Sequence, residues 1–97
     1  MNIEQIQEYF TARGMTMPNS KQALDFAVTE AGEAMDAWIR EQQVKEGWVR
    51  NNPDKQPNYG WELADCYQML QIAAYQHTGK HLEELLAEKW ASKGFEA

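Results

Sequence analysis

Basic residues are scarce in this chain: nine lysines and arginines stand against fifteen aspartates and glutamates, a formal net charge of -6 at neutral pH. Proteins that bind a nucleic-acid backbone present a Lys/Arg surplus to displace its counterions, so no nucleic-acid partner is expected. An acidic protein that handles phosphates has to recruit cations. Cysteine is scarcer still: Cys66 alone excludes an internal disulfide and any Cys/His zinc framework, and makes the cytoplasm the expected location. No segment approaches the ~20 apolar residues of a membrane span. The opening MNIEQIQEYF also lacks the basic start and apolar run of an export signal. The expectation is a soluble, unexported chain with no membrane partner. Proline occurs only at 18, 53 and 57, and the β-branched residues are scattered rather than alternating, so nothing reads as a strand.

What is present is helical periodicity. The ninety-seven residues are expected to form one all-α domain, 1–97, of four to five helices. That length is near the limit at which a single core suffices, which makes help from a partner chain unsurprising. A first helix starts after Asn2 and runs to Arg13, with Ile3, Ile6, Tyr9 and Phe10 at helical spacing and Gly14 as its stop. A second, capped by Asn19 or Ser20, holds its period through Ile39 and extends toward Trp48 or Arg50. Residues 51–58, with two prolines and four Asn/Asp, have loop chemistry. A third helix fits 59–77, capped by Asn58 and ended by Gly79, and a fourth fits 81–93, ended by Gly94.

Each helical residue advances about 100° around the axis, which sorts the acids of the second helix into two kinds. Glu30 lies inside the apolar arc formed by Phe26, Ala37, Ala23, Ala34 and Ala27, and Glu33 lies at its edge beside Phe26. Asp36 falls with Asp25, Thr29 and Gly32 on the polar side. In the third helix Glu62 is flanked by Met69, Ala73, Cys66 and Leu70, and Asp65 sits between Ile72 and Met69. The polar side of that helix comprises Ala64, Gln68, Gln71 and Tyr75. Two helices therefore each set a carboxylate pair, spaced i and i+3, into or beside the stripe that should face the core. A bare buried carboxylate costs several kcal/mol, so it shifts its pKa or finds a counter-charge. Four oxygen-bearing groups without histidine or thiolate predict Mg²⁺ or Mn²⁺ rather than zinc. In the fourth helix Lys89 and Lys93 fall within the arc of Leu82, Leu85, Leu86 and Trp90, where they suit the oxygens of a polyphosphate.

Other residues carry less chemistry. Aromatics at helical spacing are usually core, and that is the expectation for Trp38, Trp48, Trp61 and Trp90, which leaves the base-binding residues unassigned. Cys66, on the apolar arc, reads as a small buried residue. His77 and His81 are separated by Gly79, and neither has the Glu-x-x-His spacing of a di-iron bundle.

Glu30-Ala-Gly-Glu33, a spacer, then Glu62-Leu-Ala-Asp65 is similar to the E-x-x-E…E-x-x-D pattern of the MazG-like all-α nucleoside triphosphate pyrophosphohydrolases. TEAGEAMDAW resembles that family's glutamate-rich helix, WELADCYQML its second acidic helix, and HTGKHLEELLAEKWASK its final turn and lysine-bearing helix. The similarity spans residues 20–93. It implies that Glu30, Glu33, Glu62 and Asp65 bind Mg²⁺, and that water attacks between the α- and β-phosphates of a nucleoside triphosphate to give the monophosphate and pyrophosphate. It also implies a homodimer or homotetramer whose subunits jointly complete a MazG-type helical bundle. Two departures stand out. Many members carry a further glutamate just before the first motif glutamate, where this chain has Thr29, so the water-activating role falls to Glu33, to Glu30 or to the metal alone. The spacer is long, with 41–60 forming a polar extension that is either a substrate-contacting flap or a helical overhang. Two other readings are phosphoribosyl-ATP pyrophosphohydrolase, a similarly short chain, and a non-catalytic helical oligomer whose acids only shape an interface.

Overall fold

The computed structural model describes residues 1–50 and 58–96, and the loop expected at 51–58 falls, apart from Asn58, outside the described residues. Among the described residues there are four α-helices and no strand: α1 (Ile3–Ala12), α2 (Ser20–Lys45), α3 (Tyr59–Thr78) and α4 (Leu82–Ser92). Asparagine starts three of them. The side chains of Asn2, Asn19 and Asn58 accept from the backbone N–H of Gln5, Gln22 and Trp61. Gln5 and Gln22 return the bond to the cap N–H of Asn2 and Asn19, closing two capping boxes. Gly79, at φ 74°, ends α3 in the left-handed conformation that glycine adopts without a Cβ clash.

α2 and α3 form a long antiparallel hairpin. Ser20 Oγ donates to the Ala73 carbonyl at 2.7 Å, Cys66 Sγ lies 3.5 Å from the Ala27 carbonyl, and Glu41 Oε1 accepts from Tyr59 N at 3.1 Å. Along α2 the buried seam is alanine: Ala23, Ala27, Ala34 and Ala37. Their spacing of four, seven and three leaves one slot of a four-three-four-three seam unfilled, and Glu30 stands in it. Small side chains let the two helices approach closely.

Among the described residues only one end of this hairpin has a third layer. Ile3, Ile6 and Phe10 of α1 pack with Ala23 and Ile72, and Met17, Met69, Ala73 and Tyr75 close around them. Counting places Gln71 on the polar side of α3, whereas it is fully buried. The N-terminus and the start of α4 cover that side and satisfy its amide. Nε2 donates to the Met1 carbonyl, the Tyr67 hydroxyl and Glu83 Oε2, and Oε1 accepts from Leu82 N at 2.7 Å. His81, ahead of α4, accepts from Ile3 N through Nε2 at 3.0 Å. Tyr75 likewise packs against the core rather than facing water.

The other end is bare. The tryptophans expected in the core are exposed in this chain: Trp48 and Trp61 at 75%, Trp38 at 46% and Trp90 at 41%. Met35, Ile39 and Leu63 are exposed with them, since among the described residues no third helix crosses this part of the hairpin. Cys66 is half-buried. Among the described residues no helix is long and apolar enough to cross a membrane.

Candidate metal centre

The acids meet where the covered and bare halves of the hairpin join. Glu30 comes from the alanine seam of α2, while Glu62 and Asp65 come from the first two turns of α3. One carboxylate oxygen of each lies within 4.8 Å of the others. An octahedral Mg²⁺ holds opposite oxygens about 4.2 Å apart and adjacent ones about 3 Å apart, so these three carboxylates would have to draw together to share one ion. Glu33 stands beside this group, near enough to help raise the pKa values of Glu30 and Glu62.

The electrostatics are those of a site short of a cation. Burial pushes the Glu30 carboxyl up to about 7, helped by its bond with Glu33 and by repulsion from Glu33, Asp65 and Glu62. Glu62 is raised in the same direction, first by burial and then by Asp65 and Glu33. Glu30 and Glu62 are half-buried, and Glu33 and Asp65 are exposed. A divalent ion would replace the protons that this crowding retains. The donor set fits a hard cation, because every atom is a carboxylate oxygen and no histidine or thiolate belongs to the group.

The remaining predicted residues are placed apart. Lys89 and Lys93 are exposed on and just after α4, which approaches α3 but not α2. No ion pair or hydrogen bond joins either lysine to the acids. Asp36 is exposed. Thr29, where a glutamate is common in the resembling family, is exposed too, and its hydroxyl donates to the Asp25 carbonyl of its own helix at 3.2 Å. It does not enter the acidic group.

Sequence reading left the base-binding residues unassigned, and the structure offers a place for them. An open cleft of about 380 Å³ adjoins the acids, with Glu30 and Asp65 in its wall beside Tyr9, Phe10, Phe26 and Met69. Phe26 was within reach of pattern reading, one turn before Glu30 on the same face. Tyr9 was not, since only the folded chain brings α1 to this spot. No protein-family model, curated protein or solved structure matches the chain.

Proposed function

We propose that the protein is a divalent-cation-dependent nucleoside triphosphate pyrophosphohydrolase of MazG-like type. The observation that carries this reading is the convergence of Glu30, Glu62 and Asp65, from two helices, on one point at the edge of an aromatic cleft. Bound there, Mg²⁺ or Mn²⁺ would neutralise phosphate oxygens and lower the pKa of a water. Glu30, Glu62 and Asp65 would hold the ion at the mouth of the cleft where a triphosphate would lie. Glu33 adjoins Glu30 and Glu62 yet stands outside the three-oxygen group, so it is the carboxylate assigned to take the proton of the attacking water. Water then adds at the α-phosphorus, the bond to the bridging oxygen breaks, and pyrophosphate leaves with the monophosphate as second product. Lys89 and Lys93 are assigned to the phosphates, as cations on an exposed helix. The bare half of the hairpin suits a second copy of the chain, which would complete a four-helix bundle and cover Met35, Trp38 and Leu63. Cytoplasmic nucleotides are the substrate pool that goes with this chemistry.

The test is a pyrophosphate-release screen across canonical and modified triphosphates, with phosphoribosyl-ATP alongside, in Mg²⁺ and in Mn²⁺. Release from a triphosphate, abolished in Glu33→Gln and Asp65→Asn, is the expected result. No release from any of them, with metal binding unchanged in Asp65→Asn, would refute the reading and favour the non-catalytic oligomer.

A further inference from the structure

The cleft has one feature that a purely hydrophobic guest would leave unused. Its lining includes the amide of Gln68. Gln68 is half-buried and, unlike Gln71 one turn on, has no hydrogen-bond partner. It follows Asp65 by three residues on α3, about 4.5 Å further along the helix axis, away from the acids and toward the aromatic wall. Tyr9 and Phe26 stand half-exposed in that wall, at 47% and 50%. The volume is within the usual range for small-molecule sites, about 300–1,000 Å³. A flat ring with hydrogen-bonding edges satisfies all three features together: aromatic faces to stack on, a free amide to pair with, and an acidic end that takes a phosphate-bridging cation.

We infer that Gln68 is a specificity-determining residue that reads the edge of a nucleobase stacked between the aromatic side chains of this cleft. For the phosphate end alone this rests on the pyrophosphohydrolase reading. A glutamine amide offers a donor and an acceptor side by side, which matches the adjacent donor and acceptor found on each of the four bases. A glutamate offers two acceptors, which match only the paired N1–H and N2–H donors of guanine.

The experiment is calorimetric titration with AMP, CMP, UMP and GMP in EDTA, on wild type, Gln68→Ala and Gln68→Glu, with melting curves to establish folding. Gln68→Met serves as a second, near-isosteric variant without the amide should either of the others fail to fold. At least one monophosphate is expected to bind wild type, and Gln68→Ala to weaken it about tenfold, the loss of one bidentate contact. Gln68→Glu is expected to raise the ratio of GMP affinity to the other three. Loss of binding by every base in wild type, or an order of preference identical in wild type and all variants, overturns the inference. A Gln68-dependent preference without pyrophosphate release would keep the cleft assignment and remove the hydrolase. Release at rates indifferent to base and to Gln68 would do the reverse.

Discussion

The two halves of the α2–α3 hairpin are built from similar residues and end in opposite states. At one end Ile72 and Ala23 are covered by α1, and Gln71, the one fully buried polar side chain among the described residues, is bonded at both its amide nitrogen and its oxygen. At the other, Trp38, Met35 and Leu63 lie exposed over an alanine seam that is itself buried. Hydrophobic content alone does not decide burial; a third layer does. The acids lie on the boundary, where one side supplies a rigid frame and the other an opening, and this combination suits a site that must hold an ion and admit a ligand.

The largest effect expected on crossing that boundary is chemical. Asp65→Asn should lower pyrophosphate release on the order of 10²-fold or more while raising the metal-free melting temperature, since it removes a repelling charge. A fall in both would mark Asp65 as a structural rather than a ligand residue. The next contrast is between core and bare surface. Ile72→Ala should cost about 2–5 kcal/mol in denaturant unfolding. Trp38→Ala should cost a dilute monomer only about 0.5 kcal/mol. In sedimentation, Trp38→Ala should instead shift an assembly toward monomer, and an unchanged sedimentation coefficient would count against a second copy on this face.

The same two regions predict opposite responses to pH. Hydrogen bonds from Gln71 and Tyr67 hold the Glu83 carboxyl down at about 2, so its contribution is present above the ordinary carboxylate range and lost as pH falls toward 2. Glu30 is held up at about 7, so the unfolded chain releases its proton first and stability falls as pH rises from the ordinary value of 4.5 to about 7. Metal-free protein should therefore melt highest between these limits. Glu30→Gln should flatten the alkaline limb and Gln71→Leu the acid limb, while millimolar Mg²⁺ should stabilise more at pH 8 than at pH 5. The smallest effect belongs to Asp36→Asn, expected within about 0.5 kcal/mol of wild type and with unaltered activity.

How far these features could be read from sequence follows from what periodicity encodes. Asn2, Asn19 and Asn58 announce helix starts because their side chains can replace a missing backbone acceptor, and Gly79 announces a stop. Glu30 and Glu62 stand out because a charge in an apolar stripe breaks the pattern. Gln71 did not, since pattern reading scores glutamine as polar and cannot see that Met1, Tyr67 and α4 meet over it. The tryptophans misled for the opposite reason: an apolar arc tells which face seeks cover, not whether this chain supplies the cover. Lys89 and Lys93 share an arc with leucines, yet α4 has no buried residue. The cleft needed three separate segments brought together, and no single window of sequence contains them.

The alanine seam would also act as a gauge of size for any ion held by the acids. Ala27 and Ala34 flank Glu30 along the line of closest approach, so their methyl groups set how far the carboxylates of α2 stand from those of α3. Enlarging Ala34 to valine would wedge the helices apart, loosening the carboxylate group toward the 2.3–2.6 Å bonds of Ca²⁺ and away from the roughly 2.1 Å bonds of Mg²⁺. A cation bound there would have its size chosen by residues that never touch it.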